Sequence, residues 1–318
     1  MKRELSCGKY YSESMIVDEH GRKGETESRM RRRKRLLWIF ALTLLLFLAA
    51  WIAWGVWRSA SNPVVRTWQV EAGLPVRLAV LADLHGSVFG AHNSDLAALV
   101  AEQEPDLILL DGDMLNGDAA GPEELLLLLE QLVEIAPVYC AWGNHELEYM
   151  EKGTSDLREQ MEALGAEVLE LDYIDLTVNG VQLRLGGMYD YAFALDDYNS
   201  CDPKRMKPEV WQFLTDFQDT ERYKVMLSHR PDSFVFGAAS ATWGVDLVVS
   251  GHLHGGQVVL PLLGGVFGGD QGWFPEYVHG IYEKDNITLA ITSGLGSQRE
   301  RLPRFNNPPE VMVLDLSA

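Results

Sequence analysis

Of 318 residues, 47% are hydrophobic and 23% charged, enough apolar material for a sizeable core and the wrong composition for a collagen-like or disordered chain. The net charge of −19 is uneven: residues 1–35 hold 11 Lys and Arg against 6 Asp and Glu, leaving 16 against 40 for the rest. A body that acidic repels a nucleic-acid backbone, so no nucleic-acid partner is expected, and Cys7, Cys140 and Cys201 lack the spacing of a disulfide framework or thiolate zinc site.

Residues 1–35 have little apolar content beyond Met15, Ile16 and Val17 and are expected to be a basic tail without fixed structure. Leu36–Trp57 then runs without a charge, and as a helix at about 1.5 Å per residue it spans about 33 Å, enough for a bilayer core. Trp38, Trp51, Trp54 and Trp57 lie towards its ends, as interfacial aromatics do. Arg31, Arg32, Arg33, Lys34 and Arg35 abut its start, which places the N-terminus in the cytoplasm and the body outside the cell membrane. The run exceeds the usual core of a cleaved signal and no clean cleavage site follows, so an uncleaved single-pass anchor is the favoured expectation. Cleavage, or export by the twin-arginine route, stays open.

Residues 58–75 are taken as linker and lead-in, and 76–318 as one α/β domain. Five short apolar runs stop at polar residues: 76–85, 106–113, 138–146, 223–229 and 245–254. Continuous apolar runs of this length predict strands covered on both faces. Between the first three lie helical patterns, at Leu96–Val100 after Asn93 and Ser94, and in EELLLLLEQLVEI after Pro122. Thr154–Leu164 also reads as helix, and Asn179-Gly180 predicts a hairpin joining 174–178 to 181–185. Strands at 287–292 and 311–316 finish the chain.

Each of the five buried strands ends in side chains able to hold a metal. Asp83 and His85 close the first, Asp113 the second, Asn144 and His145 the third, His229 the fourth, and His252 with His254 the fifth. Open α/β sheets bind ligands beyond the carboxyl ends of their strands, so these groups are expected to converge. If the chain stays extended, residues i and i+2 point to one side, which pairs Asp83 with His85 and His252 with His254. One histidine at a strand end is usually structural; five, with two Asp and an Asn, are not. Oxygen and imidazole donors without thiolate suit Mn²⁺, Fe or Zn²⁺.

In order, Asp83-Leu84-His85, Gly112-Asp113, Gly143-Asn144-His145-Glu146, His229 and Gly251-His252-Leu253-His254 resemble the calcineurin-like metallophosphoesterase signature. The sequence GHLHGGQVVLP from Gly251 and the N-terminal span are similar to the membrane-associated bacterial branch. That branch includes phosphodiesterases and is related to enzymes that split UDP-diacylglucosamine at its pyrophosphate. The resemblance implies a two-sheet β-sandwich flanked by helices (α/β/β/α). It implies one divalent ion on Asp83, His85, Asp113 and His254, and a second on Asp113, Asn144, His229 and His252, bridged by Asp113. By the same resemblance, two such ions activate hydroxide for attack on a phosphoester, either lipid-linked or soluble, while His145 stabilises the transition state or protonates the leaving oxygen. Asp111 or Glu146 is expected either to orient histidines or to be an ordinary loop carboxylate. Many members carry an acid where this chain has Asn116.

Weaker signals remain. Val266, Phe267, Trp273, Phe274 and Tyr277 either wall the site or dip towards the bilayer, or else pack the second sheet. Arg299, Arg301 and Arg304 either grip a second phosphate or, more in keeping with such runs, stay solvated. His92, His279 and Cys140 read as structural. The alternative function is a catalytically silent scaffold of the same fold that binds a protein partner at the membrane; no feature of the chain points to such a partner, and the intact set of metal-ligating types speaks against it.

Overall fold

The computed structural model describes residues 10–60, 62–153, 156–194, 201–296 and 304–317. Contacts divide the chain into residues 1–54 and 55–318. Helix α1 spans Tyr10–Ser59, its last turn belonging to the second unit. It extends through much of the segment expected to be an unstructured tail. No proline interrupts it before Pro63, and Glu27 pairs with Arg31 one turn on at 3.6 Å. From Leu36 to Trp57 nearly every large apolar side chain is exposed, and among the described residues this is the one helix long and apolar enough to cross a membrane.

The second unit holds two six-stranded sheets among the described residues. The first contains β1 (Val64–Gln69), β2 (Arg77–Leu81), β3 (Leu107–Asp111), β4 (Val138–Ala141), β5 (Glu167–Val168) and β14 (Glu310–Asp315), in the order β1-β14-β2-β3-β4-β5. The second contains β6 (Asp172–Val178), β7 (Val181–Met188), β8 (Tyr223–Ser228), β9 (Leu247–Ser250), β12 (Gly280–Lys284) and β13 (Ile287–Ile291), in the order β12-β13-β9-β8-β7-β6. β2, β3 and β4 run parallel, as do β8 and β9, so all five expected strands point their carboxyl ends towards loops that can meet.

Period-two burial makes the layers. Leu78, Val80, Leu107 and Leu109 of the first sheet meet Leu183, Leu185, Val225, Leu227, Leu247 and Val249 of the second in a shared core. The alternate residues, Ala79, Leu81, Ile108 and Leu110, face α2 (Ser94–Ala101), α3 (Glu123–Leu132) and α5 (Leu157–Ala163) through Leu96, Leu128 and Met161. On the far side Met226, Val248 and Leu289 pack against Val210, Phe213 and Phe217 of α6 (Pro208–Gln218). Both faces of each central strand are thus covered, which is why those strands read as unbroken apolar runs. The expected α/β/β/α sandwich is present.

The half-polar elements are the ones that strand periodicity misses. Val64–Gln69, assigned to the lead-in, is the edge strand β1 and pairs in parallel with β14. Its Arg66, Thr67 and Gln69 hide the pattern. Residues 144–146, taken as the end of a strand, begin helix α4 (Asn144–Glu151), because the strand stops at Ala141 and Gly143 starts a new turn.

Glu310, at the start of β14, is fully buried and ties the edge strand to the sheet. Its Oε2 accepts from Arg66 Nη1 at 2.8 Å, Ser293 Oγ at 2.6 Å and Ser293 N at 3.1 Å, and lies 2.7 Å from His279 Nε2. Burial alone would raise this carboxyl, but His279, with Arg66 and Ser293, holds it down to about 2. A carboxylate with a depressed folded pKa contributes stability above its unfolded value of 4.5, lost as pH falls through about 2. Glu310→Gln should therefore destabilise the protein by about 3 kcal/mol near neutral pH and lose less additional stability than the native chain between pH 4.5 and 2, read by denaturant titration.

Candidate metal centre

The strands end one or two residues before the polar groups, and the chain then turns sharply. Asp83, His85, Asp113, His252 and His254 adopt φ values of 54°, 48°, 54°, 66° and 46°, in the left-handed region that side chains other than Gly, Asn and Asp rarely enter. The pairs therefore converge through strained turns and not through extended backbone, as alternation would have it. Close backbone approach makes those turns possible. Gly112 sits at φ 76°, where a Cβ would lie 2.5 Å from Gly143 N, and a Cβ on Gly143 would lie 2.2 Å from Asp113 Oδ1. Backbone bonds zip the loops together: Asp83 N–H to Gly112 O at 3.0 Å, His85 N–H to Asp113 O at 3.1 Å, and Gly251 N–H to His229 O at 3.0 Å.

All eight expected site residues come to one place. Asp113 is at its centre: Oδ2 is 3.2 Å from His229 Nε2, 3.7 Å from His85 Nε2 and 3.9 Å from His145 Nε2, while Oδ1 accepts the His145 backbone N–H at 2.9 Å. Asp83 Oδ1 lies 3.8 Å from His229 Nε2 and 3.9 Å from both His85 Nε2 and His254 Nε2. The His252 backbone N–H donates to both Asp83 oxygens at 3.1 Å. Donor atoms group as Asp83, His85 and His254, as Asp113, His229 and His252, and as His85, Asp113 and His145, each set within 4.8 Å. Asn144, first residue of α4, lines the same cleft, and its Oδ1 is buried without a hydrogen-bond partner.

The far side of each ring decides which atom faces inward. His229 Nδ1–H donates to the Asp111 carbonyl at 2.6 Å, and His85 Nδ1–H to Asn116 Oδ1 at 3.1 Å, with Asn116 Nδ2 returning a bond to His85 O. Each turns a buried Nε2 without a hydrogen bond towards the two aspartates. Asn116, an amide where an acid is usual, thus orients His85. His145 is wired the opposite way. Its Nδ1 accepts the Gly117 N–H at 3.0 Å, so in the neutral ring the proton sits on Nε2, towards Asp113 and the cleft. Orphaned buried acceptors beside two carboxylates fit divalent cations held by nitrogen and oxygen.

Charge within the protein follows the same geometry. Burial pushes the Asp83 carboxyl up to about 7, against the pull of His229. Burial also draws His85 down to about 4, His252 to about 3 and His254 well below the ordinary histidine value. His229 is opposed by burial but held well above that value by Asp113, and Asp113, despite its own burial, is held below the usual carboxylate range by His229. Neutral His85, His252 and His254 and a dissociated Asp113 are in the forms that ligate metals, whereas the proton that Asp113 favours on His229 would have to leave before that nitrogen could ligate.

Several roles differ from expectation. Glu146 does not orient a histidine. Its buried carboxylate accepts four backbone N–H groups, from Asp113 (2.8 Å), Met114 (2.7 Å), Leu115 (3.2 Å) and Gly143 (2.9 Å). It thereby clamps the loop carrying Asp113 to the start of α4. Asp111 serves His229 through its carbonyl, not its carboxylate. Arg304 is buried, not solvated, bonding Gly296 O at 2.7 Å and Asn307 O at 3.0 Å, while Arg299 and Arg301 lie outside the described residues. Arg230, directly after His229, pairs its guanidinium with Asp270 and covers Tyr191 at 4.7 Å. The cleft measures about 600 Å³, and Phe267 and Trp273 line it together with the polar groups. Tyr277 instead packs against Tyr282 beside the second sheet.

Residues 76–256 match the family model described as calcineurin-like phosphoesterase. The chain is 30% identical over 245 residues to Phosphodiesterase YaeI of Escherichia coli (strain K12), spanning 76% of this chain and 82% of that one. Over 222 residues it is 28% identical to the uncharacterized metallophosphoesterase YkuE of Bacillus subtilis (strain 168), 69% of this chain and 70% of that one. Over 293 residues it is 26% identical to the uncharacterized metallophosphoesterase Cj0846 of Campylobacter jejuni subsp. jejuni serotype O:2, 87% of this chain and 70% of that one. The chain belongs to the calcineurin-like phosphoesterase family, a class of hydrolases that fold as two sheets between helices.

The clamp by Glu146 is testable apart from chemistry. Glu146→Ala strands four buried N–H groups, each costing roughly 1–3 kcal/mol, and should lower unfolding free energy by at least about 3 kcal/mol in denaturant titration while weakening Mn²⁺ binding in calorimetry.

Proposed function

We propose that the protein is a membrane-anchored, metal-dependent phosphoesterase that hydrolyses phosphodiester or pyrophosphate bonds, including those of lipid-linked substrates. One observation carries the proposal: unpartnered His85 Nε2, His229 Nε2 and Asn144 Oδ1 gather with Asp83 and Asp113 at the ends of five strands. Asp83, His85, Asp113 and His254 would hold one divalent ion, and Asp113, Asn144, His229 and His252 the other, with Asp113 shared. When bound, such a pair neutralises phosphate oxygens and makes water more acidic. Nitrogen and oxygen donors suit Mn²⁺, Fe or Zn²⁺.

The protein's own groups supply the rest. His145 Nε2 carries its proton towards the cleft, where it donates to the departing oxygen, and Asp113 Oδ1 fixes that residue through its backbone N–H. Phe267 and Trp273 offer an apolar wall to a substrate whose leaving group or acyl part is greasy. The exposed apolar helix, preceded by Arg31–Arg35, supports a single-pass anchor with the N-terminus in the cytoplasm and the hydrolytic domain outside. The relationship to a phosphodiesterase at 30% identity supports the diester in particular. A silent scaffold gains no support from a site in which every donor converges.

The test is hydrolysis of bis(p-nitrophenyl) phosphate by the purified full-length chain with added Mn²⁺, with and without chelator. Asp113→Asn should lose bound metal and at least about a thousandfold in kcat, whereas His145→Ala should keep its metal and lose about 10²–10⁴-fold. Undiminished turnover by Asp113→Asn would refute the assignment.

A further inference from the structure

We infer that the loop 258–275, which walls the cleft, docks onto the bilayer, and that the site acts on phosphoesters whose headgroups lie in that same membrane. This rests on the membrane-anchored phosphoesterase proposal and narrows its substrate class. Outside α1, six large hydrophobic side chains are exposed among the described residues, and five of them are on this loop: Leu262, Leu263, Phe267, Trp273 and Phe274. Leu262 is completely exposed and Trp273 70% exposed. Clustered apolar exposure of this kind marks an interaction surface. Asp270 is the only charged residue of the loop, and its carboxylate is taken up by Arg230.

The loop has a defined shape. β10 (Val259–Leu260) pairs antiparallel with β11 (Gly264–Gly265), presenting Leu262 and Leu263 at the tip. The Phe267 and Trp273 rings meet edge to face at 5.4 Å, and Phe274 N–H donates to Val266 O at 2.8 Å. Leu262 and Phe274 hold φ values of 68° and 54°, where glycine or asparagine would be easier. Large apolar groups thus occupy turn positions that favour small or polar residues.

A lipid surface, and not a protein partner, is indicated by what the base of the loop holds. Segment 305–307 bonds to that base through Phe305 N–H to Gln257 O (3.1 Å), Val259 N–H to Phe305 O (2.9 Å) and Asn306 Nδ2 to Val259 O (3.2 Å). The same segment bonds the last turn of the apolar helix, through Asn306 N–H to Gly55 O (3.1 Å) and Asn307 N–H to Ser59 Oγ (3.0 Å). The Phe305 ring lies where a Cβ on Gly55 would be, 2.4 Å away. The turn at which the chain leaves the bilayer is therefore fastened to the foot of the apolar loop, and the tip is two residues beyond β10, about 7 Å of extended chain. Asn307 Nδ2 also donates to His254 O at 2.7 Å, so this segment joins helix end, loop and metal centre.

The experiment uses the full-length chain in lipid nanodiscs, with Cys7 and Cys201 replaced by Ser and one environment-sensitive fluorophore at Leu262→Cys or, as a control, at Thr177→Cys on the exposed edge strand β6. Nitroxide-labelled phospholipid should quench the label at 262 several-fold more than at 177. Equal quenching, or a shielded label that lipid does not quench and a protein surface therefore covers, overturns docking. In parallel, Leu262→Asp/Leu263→Asp should lower turnover of a phosphodiester embedded in the nanodisc at least tenfold and leave bis(p-nitrophenyl) phosphate hydrolysis within twofold. Equal losses on both substrates, or no loss on the embedded one, overturn the substrate inference. Should the unmodified chain hydrolyse neither substrate, the hydrolase proposal and the substrate inference fall together, and the quenching comparison still decides docking.

Discussion

Two carboxylates and five imidazoles share a space in which Asp83, Asp113 and His229 are almost wholly removed from water. Charges so buried are tolerated only when opposite charge and fixed dipoles meet them at short range. The His229–Asp113 contact at 3.2 Å is the tightest inter-residue ion pair of this cluster, and the surrounding loops are bent to make it. Five left-handed residues, two glycines without room for a Cβ, and a glutamate spent on four backbone N–H groups all serve to bring strand ends of two sheets within about 4 Å. Divalent cations would relieve the desolvation that keeps Asp83 near 7.

The histidines divide by the bond each makes on its outer side. His85 and His229 donate outward and turn Nε2 inward, the atom that would ligate; His145 accepts outward, so in the neutral ring its proton faces in. The same side chain thus turns a different atom state into one cluster, set by an amide, a carbonyl and a backbone N–H. At Asn116 the side-chain oxygen accepts from His85, and the amide nitrogen donates back to the His85 carbonyl.

The site is also continuous with the apolar part of the molecule. Segment 305–307 is bonded to the last helical turn, to the foot of the exposed loop and to His254. Backbone and side-chain bonds of three consecutive residues thus tie the three together, with the Phe305 ring packed on Gly55. In an acidic body, the loop 258–275 carries a single charged residue, Asp270, and that one is paired with Arg230.

Much was legible from the chain alone, for a local reason. Strands buried on both faces must be apolar throughout, so 107–111, 223–228 and 247–250 announce themselves, and the polar residues that end them announce the site. Apolar length likewise reveals the helix Leu36–Trp57. Elements whose burial is partial, such as β1 and α4, carry no such local mark. Nor could one dimension show that Asp83 and His85 meet through left-handed turns, that Glu146 binds backbone and Asp111 acts through its carbonyl, or that Arg304 is buried. Those assignments depend on partners as much as 118 positions apart, such as His229 and Asp111, and only the folded chain brings such partners into contact. Residue type and period belong to the sequence, whereas the direction of a lone pair belongs to the tertiary structure.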